Sequence, residues 1–384
     1  MAITRRGVRV ALGGIWILDG LLQLQSGMFT SRFADHVLAP TGHGQPWFVS
    51  EPVALSARLI AAHPMPWDAA FAAIQICLGV GFLLPRLVRP ALAASVVWSL
   101  GVWWLGEGLG GVAGGHADIL TGAPGAVLLY AVLAIALWPA RGRAGTEDTA
   151  LPRWLATGWA ALWVGGAVLR FLPGQGSSTT IASEISANVG GGPAWLSQID
   201  HSVAGAVSTM GPGLVVAWAL VCLVIGLGGL RNGPVRSAAV GLGIICSLAF
   251  WLLGQSLGGL WSGVATDPNT GPLIVLMAFA LAGIADAAPA RGRHRKQRAA
   301  APVKARSRAR QSWSTVPAAT GMSTVPRTHY ALAGALDGSP GGESLRTEWG
   351  RPRDDSMPMP MPMPMPAPAP APDTYTHTPA SASR

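Results

Sequence analysis

Apolar residues run through this chain in long blocks, and the breaks between the blocks carry the arginines, prolines and many of the glycines. A bilayer core about 30 Å thick takes roughly 20 apolar residues per helix. Windows of that kind predict eight helices, near 8–27, 67–85, 90–107, 124–140, 154–172, 212–230, 235–254 and 272–289. The connections alternate in charge. Arg5, Arg6 and Arg9 precede the first block, Arg86 and Arg89 follow the second, Arg141, Arg143 and Arg153 follow the fourth, and Arg231 and Arg236 follow the sixth. The basic run 291–296 follows the eighth, whereas the intervening connections hold chiefly Arg32 and Arg58. By the positive-inside rule both termini are expected in the cytoplasm, which requires an even number of spans. Trp47, Trp67, Trp104, Trp138, Trp154, Trp195 and Trp261 stand near the expected boundaries, where amphipathic rings anchor helices at headgroup level. Arg5-Arg6 before an apolar run resembles the start of a signal peptide. Asp19, Gln23 and Gln25 then occupy the place of a small-residue cleavage site, so the first block is read as a retained span.

The two halves of the apolar region resemble each other. Aligning 101–124 with 249–272 gives nine identities in 24 positions without a gap, among them Trp103 with Trp251, Gly110 with Gly258, Gly115 with Gly263 and Pro124 with Pro272. An offset of 147 likewise matches Trp16, Gly79, Gly81 and Arg89 with Trp163, Gly226, Gly228 and Arg236. The expected fold is therefore all-α: a polytopic membrane bundle of about eight helices, built as two four-helix repeats over 1–145 and 146–290. An even number of spans per unit gives both copies the same orientation, with a pseudo-two-fold axis along the membrane normal. Each half has a long outer loop after its first helix, and 51–63 shows helical apolar spacing suited to the membrane interface.

Composition separates the tail from this body. Residues 1–290 carry 13 Arg against 12 acids, whereas 291–384 carry 14 basic and 6 acidic residues, so the net charge of +9 belongs almost wholly to the tail. That argues against a nucleic-acid partner for the body and names the bilayer as the main one. The tail is Arg-rich, then Pro-, Ser- and Gly-rich, with Met alternating with Pro over 357–366. Too few large apolar residues remain there to fold, and a disordered cytoplasmic segment is expected. Its arginines suit anionic headgroups, while the Met-Pro run is read as linker sequence and not as a copper site. Cys77, Cys222 and Cys246 lie inside apolar runs and are read as small buried residues. The excess of Ala, Gly and Arg over the two Lys suggests a bacterium of high GC content, and hence an inner-membrane location.

Polar groups inside spans are costly to bury and are functional suspects by default. Asp19 is placed about 16 Å into the first helix, near the bilayer midplane, with Gln23 one turn beyond. Gln75 reaches a similar depth from the second helix, and Glu107 is placed at the outer end of the third. These four are expected to line one cavity open to the exterior, unless they only hydrogen-bond helices to each other. In the repeat, Asp19 corresponds to Gly166, Glu107 to Gln255 and Gln23 to Arg170, so the acids exist only in the first copy. Arg170 is expected to pair with an acid from either half. The candidate polar site is thus Asp19, Gln23, Gln75, Glu107, Arg170 and Gln255. His116 and Asp118, with His36, His43 and His63, lack metal-ligand spacing, so no metal is assigned. The Gly-rich stretch 106–111 lacks the Lys and strand context of a phosphate loop. No nucleophile, base and orienting acid stand at usable spacing, so no catalytic residue is assigned and the cofactor is left open.

The passage Ile74-Gln75-Ile76-Cys77-Leu78-Gly79-Val80-Gly81-Phe82-Leu83-Leu84, followed by Arg86, Arg89 and an Ala-rich span, resembles the second-to-third helix passage of DoxX-like membrane proteins. The likeness covers about 8–140 and, more faintly, 154–289. It implies a four-helix unit and an accessory or small-molecule-binding role beside a membrane redox partner. Family members often carry an acid where Gln75 stands. The alternatives are a secondary transporter with Asp19 as the coupling group, or a scaffold acting through its tail.

Overall fold

The computed structural model describes residues 4–139, 151–187 and 192–286, and every described element is helix, turn or loop. The tail, with its basic stretch and Met-Pro run, lies outside the described residues, as do Arg141 and Arg143. Each of the eight apolar windows holds a helix: α1 (Arg5–Leu22), α3 (Pro64–Leu83), α4 (Val88–Leu105), α5 (Ala126–Ala136), α6 (Trp154–Leu169), α9 (Gly213–Gly229), α10 (Pro234–Leu253) and α11 (Thr270–Asp286). The long connections after α1 and α6 supply α2 (Trp47–Ala62), α7 (Ser178–Ala187) and α8 (Ala194–Ser208), so the apolar helical spacing read over 51–63 falls in a helix that begins earlier, at Trp47. Among the described residues, α3, α4 and α10 are long and apolar enough to cross a membrane, and α8 with α9, bent by 110°, makes a fourth candidate. Three shorter apolar helices, α5, α6 and α11, accompany them.

Local chemistry sets the helix ends. The Thr4 hydroxyl accepts the Gly7 N–H at 3.1 Å and caps α1, while Pro64 and Pro234 open α3 and α10 where a missing N–H costs nothing. α1 stops at Leu22, short of the expected 27, because Gln25 is engaged elsewhere. Its amide donates to Leu260 O at 3.2 Å and accepts Ala265 N–H at 3.2 Å, holding the chain in turns. Asp19 therefore sits in the last turn of α1 and not near its middle.

Helices pack where glycine removes the side chain. A methyl group on Gly79 would lie 2.6 Å from Gly13 O, and one on Gly20 would lie 2.9 Å from Ala72 O, so α1 and α3 touch backbone to backbone. Gly226 brings α9 to α6, 3.2 Å from Ala160 O by the same measure. Gly81 faces Ala91 between α3 and α4, and Gly228 faces Ala239 between α9 and α10. Around these contacts lies one apolar core containing Trp16, Leu92 and Tyr130 from the first half with Trp159, Trp163 and Ile225 from the second. The outer surface is also apolar, with Val97, Val168, Leu220 and Ile245 exposed. All seven tryptophans placed at boundaries are exposed, whereas Trp16, Trp159 and Trp163 are buried.

Candidate functional site

The loops that follow α1, α4, α6 and α10 gather at one end of the bundle, and two of them share an unusual turn. Gly108, Leu109, Gly110 and Gly111 all have positive φ, between 53° and 75°, and so do Ser256, Leu257, Gly258 and Gly259, between 42° and 74°. Leucine in the left-handed region costs about 1–2 kcal/mol, so surrounding contacts must hold Leu109 and Leu257 in place. Gly110 N–H donates to Glu107 O at 2.8 Å, and Gly258 N–H to Gln255 O at 2.7 Å. Trp103 and Trp251 each donate from Nε1 at 2.7 Å, to Pro124 O and Pro268 O respectively. The counterpart of Pro124 in this geometry is Pro268, four residues before the Pro272 that the ungapped alignment matches. The second connection is shorter, which only the fold reveals.

Each turn swings a side chain over the start of the next helix. Glu107 lies after α4, not within it, and its Oε1 accepts Val127 N–H at 3.3 Å at the N-terminus of α5. Gln255 Oε1 accepts Gly271 N–H at 3.1 Å at the start of α11, and its Nε2 donates to Leu120 O of the first half at 3.3 Å. Both residues are helix caps. Gln255 satisfies its second polar atom across the seam between the halves, whereas Glu107 Oε2 is buried against Gly125 without a hydrogen bond.

An open cleft of about 360 Å³ lies beside Glu107, lined also by Thr41, His116, Thr121, Asp267 and Asn269. Asp267 accepts Asn269 N–H at 2.7 Å and the Thr266 hydroxyl at 2.8 Å. Burial pushes its carboxyl up, with those two bonds opposing the shift. Burial pushes Glu107 well above the usual carboxylate range, the charge of Asp267 adds to this, and the bonds from Val127 and Ala126 oppose it.

Deeper in the bundle, Tyr130 stands one turn beyond Ala126, whose residue lines the cleft. Its hydroxyl donates to Asp19 Oδ2 at 2.5 Å, and its ring lies 4.3 Å from that of Trp16. Asp19 Oδ1, Gln23 Oε1 and Gln75 Oε1 are buried without hydrogen-bond partners. The expectation that Asp19, Gln23, Gln75 and Glu107 line one open cavity is therefore corrected. Of the four only Glu107 lines the cleft: Asp19 is turned to Tyr130, and Gln23 and Gln75 are buried.

Arg170 is wholly buried and pairs with acids from both halves: Nε lies 2.7 Å from Asp118 Oδ2, and Nη2 2.6 Å from Glu184 Oε2. The guanidinium also lies 5.2 Å from the centre of the Trp218 ring. Asp118 is thereby committed to Arg170 and removed from any site with His116. Among the described residues no three His, Cys, Asp or Glu side chains come together as a metal ion would need.

Four residues escape the reading of the sequence alone. Tyr130, one of only three tyrosines, stands in an apolar helix where its hydroxyl needs a partner, a signal that was legible. Asp267 is hidden in Thr266-Asp267-Pro268-Asn269, which reads as an ordinary turn. Glu184 lies in a polar helix, and Asp68 is buried on α3 with neither carboxylate oxygen hydrogen-bonded. Compared with protein-family models, curated proteins and solved structures, the chain matches none.

Proposed function

We propose that this chain is a multi-pass membrane protein made of two like-oriented four-helix units, with both termini cytoplasmic, that binds a small polar solute in the cleft beside Glu107. The observation that carries the reading is the cleft itself. A strained left-handed turn is maintained at its edge, and an acid with an unbonded oxygen is held in its wall. Strain and unsatisfied buried polar atoms concentrate where function demands them. The paired turns at 108–111 and 256–259 support the duplication, since the same hydrogen bonds recur in both.

Native mass spectrometry of the full chain released from membranes in mild detergent tests this. The wild-type protein should carry a small molecule that Thr121→Trp, which fills the cleft, no longer retains. Equal occupancy in both would remove the cleft from consideration. A quinone or a redox enzyme among the retained species would place the protein in the role implied by its DoxX-like passage. Orientation is checked separately in a variant whose three cysteines are replaced. A cysteine introduced at His116 should react with an impermeant thiol reagent from outside the cell. Labelling only after lysis would reverse the topology.

A second reading, a transporter, draws on the polar groups that continue inward from the cleft to Asp19 and Tyr130. It predicts uptake of the retained molecule by proteoliposomes and loss of that uptake in Asp19→Asn.

A further inference from the structure

The two halves meet through matched contacts whose chemistry differs. Gly166 of α6 packs on Ile119, whose side chain lies 3.1 Å from the place of a methyl group, whereas the residue that corresponds to Gly166 is Asp19, which takes the Tyr130 hydroxyl. Where Gln255 crosses the seam to donate to Leu120 O, the residue in its place is Glu107, which faces the charge of Asp267. One side of the seam is thus apolar and hydrogen-bonded. The other places Glu107 and Asp267 in the wall of one cleft, with the Asp19–Tyr130 pair deeper in the bundle.

Among the described residues that line the cleft there is no Lys or Arg to face Glu107 and Asp267. The nearby buried guanidinium, Arg170, is held by Asp118 and Glu184. Two buried oxygens lack hydrogen bonds: Oε2 of Glu107 in the cleft wall, and Oδ1 of Asp19, whose residue is 1% exposed. Unpaired buried acceptors of this kind require a donor. In the matching place on the other side of the seam, Gln255 Nε2 stands where Glu107 Oε2 does and donates to Leu120 O at 3.3 Å.

From this asymmetry we infer that the cleft binds a small organic cation bearing several N–H donors, such as a protonated amine or guanidinium, through Glu107 and Asp267, with the Asp19–Tyr130 pair beneath them. The inference rests on the reading of the cleft as a solute site and names the class of solute. No group of three His, Cys, Asp or Glu side chains that could hold a metal ion forms among the described residues. A molecule with separated donors can span Glu107 and Asp267, and about 360 Å³ accommodates one of few heavy atoms. Burial alone disfavours the ionised acids, and a bound cation offsets that, so charge-assisted hydrogen bonds to the carboxylates form together with it.

Calorimetric titration of the full chain in a neutral detergent tests the inference with four probes: agmatine, tetramethylammonium, succinate and glycerol. Agmatine should bind the wild type, and Glu107→Gln and Asp267→Asn should each weaken it about tenfold or more. Glu107→Gln is expected to fold, because Gln255 already performs the same capping with an amide. Tetramethylammonium carries the charge without an N–H donor and should bind at least about tenfold more weakly than agmatine. Failure of agmatine to bind the wild type overturns the inference, as does equal binding by both acid variants or by tetramethylammonium. Binding of succinate or glycerol that Thr121→Trp abolishes overturns the cation class and leaves the cleft as a solute site. If no probe binds and no retained molecule is sensitive to Thr121→Trp, both readings fall.

Discussion

Replacing Arg170 with methionine is expected to produce the largest loss of stability of any single change in the polar interior. Its side chain is wholly buried, and its charge offsets Asp118 at 2.7 Å and Glu184 at 2.6 Å. Methionine fills much of the volume but leaves two acids facing each other with the cation gone. Breaking a buried pair in this way costs about 3–5 kcal/mol, far more than the net worth of forming it. Thermal unfolding in detergent, followed by tryptophan fluorescence, should show a clear downward shift, smaller in Arg170→Met/Asp118→Asn. A melting point equal to wild type would mean that the triad is solvated and not structural.

Asp118 adds a dependence on pH to the same triad. Burial raises its carboxyl from 3.8 to about 7, with Arg170 opposing the shift and Glu184 adding to it. Between those values the folded protein holds a proton that the unfolded chain has released. The stabilisation from this group is therefore fully present at low pH and is lost as the pH rises through about 7. Asp118→Asn should remove that slope, and a slope unchanged in the variant would assign it to another group.

Gly79→Ala should have the second large effect. The added methyl would sit 2.6 Å from Gly13 O and 2.9 Å from Ile17 N. Neither is the movable end of a side chain, so α1 and α3 must separate along their whole contact. Overpacking of this kind costs about 1–3 kcal/mol where the backbone can shift. The separation would also disturb Asp19 and Gln75, so loss of any retained solute should accompany the loss of stability. Gly14→Ala is the control, since a methyl there meets nothing within 4 Å. It removes a helix-interior glycine and should leave stability unchanged or raise it by about 0.5–1 kcal/mol. Equal melting points for the two variants would show that the glycine contact does not set the distance between the helices.

The residues legible in the sequence are those whose behaviour depends on near neighbours in the chain. Eight apolar windows hold eight helices, because helix formation and transfer out of water are properties of consecutive residues. The boundary tryptophans are exposed for the same reason, their place in the pattern fixing their place on the surface. Arg170 announced the need for an acid, but not that Asp118 and Glu184 would both supply one. Asp267 carried no local sign of its importance, since a Thr-Asp-Pro-Asn turn caps a helix whether or not an acid faces it from elsewhere.

By itself the sequence determined that this protein is a bundle of apolar helices with arginine-bearing connections, glycine-rich turns and a few acids placed where burial is costly. Only the tertiary structure decided which acids meet. Glu107 and Asp267 line one cleft and Asp19 takes the Tyr130 hydroxyl, while Gln23 and Gln75 are buried away from the cleft. The physical reason is distance along the chain. Burial and helix formation are paid for residue by residue, whereas the cleft exists only because loops more than 100 residues apart converge at one end of the bundle once glycine contacts have set the helices side by side.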